Sequence, residues 1–224
     1  MSESGRVDFG LYLITDRRQA RGGDLLAAVE RALEGGVRAV QLREKDLSGR
    51  ELHALAVAMR RLASRYGAKL LINDRVDIAL SCGADGVHLG VASIPPAEAR
   101  RLLGPDAWIG CSTHDETQLA AAADGGADFA TFGPVFATPS KAAFGPPVGV
   151  PALRSACRVS RLPVFALGGV GPGNVAEVVS AGAAGVGVIS AILGAEDPCP
   201  AAANLLARLE AAPGTGREGK GGTP

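Results

Sequence analysis

Eight short apolar runs, each followed by a segment of helical spacing, constrain this chain more than any other feature. The runs are Leu11–Thr15, Ala39–Arg43, Lys69–Asn73, Gly86–Leu89, Trp108–Ser112, Phe129–Gly133, Pro163–Leu167 and Gly185–Ser190. Between them apolar residues recur at helical intervals, as in Leu25-Leu26-Val29-Ala32-Leu33 and Leu52-Leu55-Ala58-Met59-Leu62. Several helical segments run into glycine, at Gly35-Gly36, Gly83, Gly125-Gly126 and Gly182, where helices commonly end. The count is eight strands, seven intervening helices and an eighth helix near Ala201–Ala212. Eight such units predict an α/β fold built as a single (β/α)8 TIM barrel. An open, doubly wound sheet gives no reason for the count to stop at eight. Residues 1–10 read as an N-terminal extension and 11–212 as the barrel. Residues 213–224 are Gly-rich, polar and aperiodic, and read as a disordered tail.

Composition narrows the function classes. At 47% hydrophobic and 21% charged residues, the 224-residue chain can bury a substantial core. Its formal net charge is zero, which gives no ground for a nucleic-acid or anionic-membrane partner. No apolar run is long enough to span a bilayer, and no charged start followed by an apolar stretch marks a secretory signal. Cys82, Cys111, Cys157 and Cys199 are widely spaced and form no Cys-x-x-Cys pair. A disulfide framework or zinc site is therefore not expected, and a reducing cytoplasm is.

Within the second run, Val40-Gln41-Leu42-Arg43-Glu44-Lys45 delivers an amide and two cations within five residues. Strand side chains alternate faces, so Gln41, Arg43 and Lys45 are expected on one side. Polar groups on a buried parallel strand are costly unless something anionic meets them, which points to phosphate or diphosphate. Barrel sites sit at the C-terminal strand ends, and polar residues cluster there. The ends read Thr15-Asp16-Arg17, Arg43-Glu44-Lys45, Asn73-Asp74-Arg75 and Ser112-Thr113-His114, then Gly133 through Lys141, Gly168-Gly169 and Ile189-Ser190. Two anion groups separate. Gly168-Gly169 and Ile189-Ser190 follow strands seven and eight, the usual phosphate position. Arg43, Lys45, Asn73 and Lys141 form a more cationic group near strands two, three and six.

The ordered motifs Tyr12-Leu13-Ile14-Thr15-Asp16, Gln41 through Lys45, Ile72-Asn73-Asp74-Arg75, Gly86-Val87-His88-Leu89-Gly90, Gly133-Pro134-Val135-Phe136 and Val188 through Ile192 resemble those of the thiamine-phosphate synthase family and its thiazole tautomerase relatives. The likeness runs from about Leu11 to Leu193. It implies joining of a hydroxymethylpyrimidine diphosphate to a thiazole phosphate: diphosphate leaves, and the thiazole nitrogen captures the pyrimidine methylene cation. By that resemblance Arg43, Lys45, Lys141 and Ser112 are catalytic, and Gln41 and Asn73 bind substrate; His114, read from its place after strand five near the barrel mouth, is a further substrate-binding or acid–base candidate. Thr138, Ser140, Gly169, Ile189 and Ser190 would meet the thiazole phosphate, and Asp74 would bind Mg²⁺.

One position departs from the family pattern. After the fourth strand the synthases carry Gly-Gln-x-Asp, whose Asp is a second magnesium ligand; this chain has Gly90-Val91-Ala92-Ser93. Ser93 is an uncharged and weaker ligand. The tautomerases resemble the chain at Ser93, but their acid–base histidine falls at Pro134. Three readings follow: the synthase, an isomerase of a thiazole phosphate carboxylate, and a non-catalytic binder of thiamine precursors. Expected partners are small molecules, with a homo-oligomer left open. Of the remaining ionisable groups, His53 reads as a surface residue, His88 as structural, and Asp77 as the cap of the third helix.

Overall fold

Eight parallel strands close on themselves in chain order. The computed structural model describes residues 7–138 and 146–212. The strands are β1 (Leu11–Ile14), β2 (Ala39–Leu42), β3 (Lys69–Asn73), β4 (Gly86–Leu89), β5 (Trp108–Thr113), β6 (Phe129–Phe132), β7 (Val164–Leu167) and β8 (Gly185–Val188). The helices are α1 (Leu25–Glu34), α2 (Gly49–Arg65), α3 (Val76–Cys82), α4 (Pro96–Leu103), α5 (Glu116–Asp124), α6 (Gly149–Val159), α7 (Val175–Ser180), α8 (Ser190–Leu193) and α9 (Pro198–Ala211). Local chemistry sets several boundaries. Asp24 accepts the Ala27 N–H to start α1, Ser48 and Glu51 close a capping box on α2, and left-handed Gly83 ends α3.

Alternation along each strand sorts the core into two layers. Leu11, Leu13, Val40, Leu42, Leu70, Ile72, Val87 and Leu89 face the helices. Tyr12, Ile14, Ala39, Leu71, Phe129 and Phe165 fill the barrel interior. Phe9 lies in that interior as well. Its ring centroid is 5.7 Å from Tyr12, 5.6 Å from both Trp108 and Phe129, and 5.2 Å from Phe165. The Val186 N–H also donates to the Gly10 carbonyl at 2.9 Å. The segment read as an extension thus plugs the N-terminal mouth with its last residues. On the same face, Asp85 accepts the Leu70 N–H at 2.7 Å and pairs with Arg60, while Asp128 accepts the Ile109 N–H at 2.7 Å and pairs with Arg100. Two successive pairs of units therefore repeat one clamp, at the end of the barrel that serves stability.

Four strands stop earlier than the apolar runs suggest, β1, β2 and β6 by one residue and β8 by two. Pairing of β2 with β3 ends at Leu42, opposite Ile72. β8 ends at Val188, because Ile189 leaves the extended region (φ −120°, ψ −81°) and Ser190 opens the short helix α8. That helix begins on the last residue of the eighth run. The last helix begins at Pro198, behind the Asp197 cap. Among the described residues, no helix is long and apolar enough to cross a membrane.

Candidate active site

A polar chain crosses the barrel floor beneath the C-terminal mouth. Gln41 Nε2 donates to Tyr12 Oη at 3.1 Å, and Tyr12 Oη lies 3.4 Å from His88 Nδ1. On its other side His88 Nε2 is 3.1 Å from Ser112 Oγ and 3.4 Å from Thr131 Oγ1. The register brings these groups together by setting Asn73 beside His88 and Ser112 beside Thr131. Gly110 makes room: a Cβ there would stand 2.5 Å from both His88 Nδ1 and the Phe129 ring. Burial, with the Arg43 charge adding to it, pushes the His88 imidazole down to about 3, so it is neutral at neutral pH. Burial likewise pushes the Tyr12 phenol far above its ordinary value, against the Gln41 hydrogen bond.

The cationic group stands on one side of this floor. Gln41 faces the interior, as alternation requires, but Arg43 and Lys45 lie beyond the end of β2 and are not ordered by strand pleating. Arg43 is half-buried and Lys45 exposed. Between them Glu44 is buried, accepting from Thr15 Oγ1 at 2.7 Å and Arg17 Nη1 at 3.1 Å. Arg17 also grips Asp46 with two 2.6 Å contacts, and those bonds hold the Asp46 carboxyl well below the usual carboxylate range. Asn73, half-buried, ends β3. Asp74 follows, exposed, with a left-handed backbone (φ 66°) and its N–H on the His88 carbonyl at 2.9 Å. Asp77 does not cap α3: it pairs with Arg75, itself the residue at the cap position, at 2.8 and 2.6 Å.

Across the mouth, the turn after β7 is packed against the segment after β6. The Val135 N–H donates to Leu167 O at 2.8 Å and the Phe136 N–H to Gly168 O at 3.0 Å. Gly168 (φ 93°) and Gly169 (φ 65°) are both left-handed, and a Cβ on Gly169 would approach the Ala137 carbonyl to 2.7 Å. Thr138, next in sequence, is therefore brought close to Gly169. Ser190 opens α8 beside this turn, and Ile189 packs onto the barrel-interior cluster. His114 is anchored through Nδ1 to the Gly133 carbonyl at 2.5 Å, so it braces the β6 end. Ser140 and Lys141 lie outside the described residues.

The carboxylates of the mouth decide how a cation could be held. Asp16 accepts from the Arg18 N–H and Gln19 Nε2; Asp24 and Asp115 cap helices; Glu44 and Asp46 bind Arg17; Asp77 binds Arg75; Glu116 accepts from Ser155. Among the described residues, Asp74 alone of these mouth carboxylates has no hydrogen-bond or ion-pair partner; Arg75 acts on it through space. Ser93 Oγ is occupied by the Gly90 N–H at 2.7 Å, closing the loop after β4. No three His, Cys, Asp or Glu side chains among the described residues are grouped to hold a metal ion. Asp74 offers one open anionic ligand. A hard cation, which prefers six or more oxygen ligands, would find a single protein carboxylate here and would need its other oxygens from elsewhere.

This arrangement has an interior polar floor, a cationic side and a glycine-rich side. The sequence matches the thiamine monophosphate synthase family over residues 11–192. The chain belongs to that family. It is 61% identical over 204 residues to the putative thiamine-phosphate synthase of Geobacter sulfurreducens, covering 91% of this chain and 96% of that one. It is 45% identical over 201 residues to the thiamine-phosphate synthase of Albidiferax ferrireducens, covering 90% and 92%. The solved thiamine phosphate pyrophosphorylase of Pyrococcus furiosus superposes with a TM-score of 0.82 at 36% identity, covering 90% and 95%.

Several residues of the polar floor and its flank carry little signal in the strand pattern. Tyr12 is marked as interior by its place between outward Leu11 and Leu13, but not as a member of a polar chain. His88 is buried and joins Ser112 to Tyr12, a linking role its mid-strand position does not reveal. Thr131 and Glu44 carried no signal beyond their polarity.

Proposed function

We propose that the protein is a thiamine-phosphate synthase, transferring the pyrimidinylmethyl group of hydroxymethylpyrimidine diphosphate to the nitrogen of a thiazole phosphate, with release of diphosphate. The observation that carries this reading is the polar floor of Gln41, Tyr12, His88 and Ser112, flanked by a cationic strand end and a glycine-rich turn. The floor offers donors and acceptors suited to a flat heteroaromatic ring, and the flanks suit two phosphate groups.

Bond breaking leaves negative charge on the departing diphosphate and positive charge on the pyrimidine methylene. Arg43, Lys45, Asn73 and Lys141 meet the first, acting where charge develops. His88 serves the second by staying neutral, since an imidazolium in the floor would oppose a nearby cation. Ser112 and Gln41 orient the ring, and the thiazole phosphate lies against Thr138, Ser140, Gly169, Ile189 and Ser190. Asp74 would hold Mg²⁺, which when bound would supply Lewis-acid neutralisation of the charge on the leaving group. Ser93 is left to close its loop. The isomerase reading lacks its acid–base group, because proline occupies position 134. A cytoplasmic location belongs to the same proposal, supported by four free cysteines.

The test is direct. With both substrates and saturating Mg²⁺, the purified protein should form thiamine phosphate and diphosphate in equal amounts. Binding of thiazole phosphate with no condensation under those conditions would refute the synthase reading.

A further inference from the structure

Glu44 sits between two cations in sequence, yet its carboxylate turns away from both. Its side chain is only 2% exposed. A buried carboxylate is costly unless hydrogen bonds and an opposite charge compensate it. Here Thr15 Oγ1 donates at 2.7 Å, the Arg17 N–H reaches its two oxygens at 3.1 and 3.2 Å, and Arg17 Nη1 donates at 3.1 Å. The same Thr15 hydroxyl oxygen accepts the Arg43 backbone N–H at 2.9 Å. One hydroxyl therefore ties the Glu44 carboxylate to the main chain of the residue before it.

This knot begins where the sheet stops. β2 pairs with β1 as far as Gln41 and with β3 as far as Leu42, so strand pairing does not hold the chain at residues 43–45. We infer that Glu44 is a positioning residue for the cationic side, locking the end of β2 to the segment after β1 so that Arg43 and Lys45 are presented to the diphosphate. Substrate is not expected to touch it. Its effect runs through Thr15 and Arg17, and it replaces the ladder that ended at Leu42. The inference rests on the diphosphate reading above.

Calorimetric binding of inorganic pyrophosphate with Mg²⁺, and separately of thiazole phosphate, tests it in the full chain. Glu44→Gln keeps the shape and one acceptor but removes the charge that holds Arg17. Pyrophosphate affinity should fall about tenfold or more while thiazole phosphate affinity stays within about twofold, as for other groups that orient a ligand-binding residue. An unchanged pyrophosphate affinity, or an equal loss for both ligands, would overturn the inference. Failure of the unaltered protein to bind pyrophosphate would sink the diphosphate reading and the inference with it. Should Glu44→Gln not fold, Thr15→Ser and Thr15→Val carry the same comparison. The serine variant should bind pyrophosphate normally and the valine variant weakly; equal behaviour of the two would refute the knot.

Discussion

Asp74 holds its backbone at φ 66°, a conformation that glycine adopts freely and that other L-residues avoid. The left-handed region costs an L-residue about 1–2 kcal/mol, and Asp sits at the low end because its short side chain tolerates that region. Asp74→Gly releases the strain but loosens the unfolded chain by about 0.4–1 kcal/mol. The side chain has no hydrogen-bond or ion-pair partner among the described residues, so its removal breaks no such contact. The net change is a gain of about 0.5 kcal/mol or none, whereas Asp74→Ala keeps the strain and loses the tolerance of Asp. The glycine variant should therefore exceed the alanine variant by about 1 kcal/mol, or about 2–4 °C in Tm for a chain of this size. Activity should move the other way: both variants lose the open carboxylate, and both should lose Mg²⁺-dependent condensation. Urea unfolding, differential scanning calorimetry and kcat/KM at several Mg²⁺ concentrations measure the two sides. An alanine variant as stable as the glycine variant would refute the strain argument. A glycine variant with undiminished turnover would refute the role of Asp74.

Two further substitutions probe the floor and the missing acid. His88 is pushed down to about 3 in the folded protein from an ordinary 6.5, so the unfolded chain binds the extra proton between those values. Stability should fall as pH drops from 6.5 toward 3, by up to about 1.4 kcal/mol per pH step from this group, and His88→Gln should flatten the slope in urea titrations. An identical slope in the variant would show that His88 charges freely. Ser93→Asp should raise the affinity of the substrate-free protein for Mn²⁺, read by electron paramagnetic resonance, by about tenfold or more, worth about 1.4 kcal/mol. Unchanged affinity would show that position 93 does not face the cation.

Much of this protein is legible along the chain. The eight alternating units give the barrel, because buried parallel strands and amphipathic helices write different periods into the sequence. The polar residues at strand ends locate the mouth, since a parallel barrel gathers those ends on one face. Strand boundaries were less legible. A period of two runs on through Gln41, Arg43 and Lys45, but a strand ends where its neighbours stop pairing with it, and those neighbours lie far along the chain.

The sequence by itself therefore determined the barrel, its outward and inward faces, and the candidate anion-binding residues. Those follow from local periodicity and residue chemistry. Only the tertiary structure decided that Tyr12, 76 positions before His88, joins it in one polar floor, and that Glu44 is bound by Thr15, 29 positions earlier. It also decided that Asp74 was left open while nearby Glu44, Asp46 and Asp77 were each bound by arginine. The physical reason is the same in each case: hydrogen-bond partners and charge neutralisation depend on separation in space, which chain order does not record.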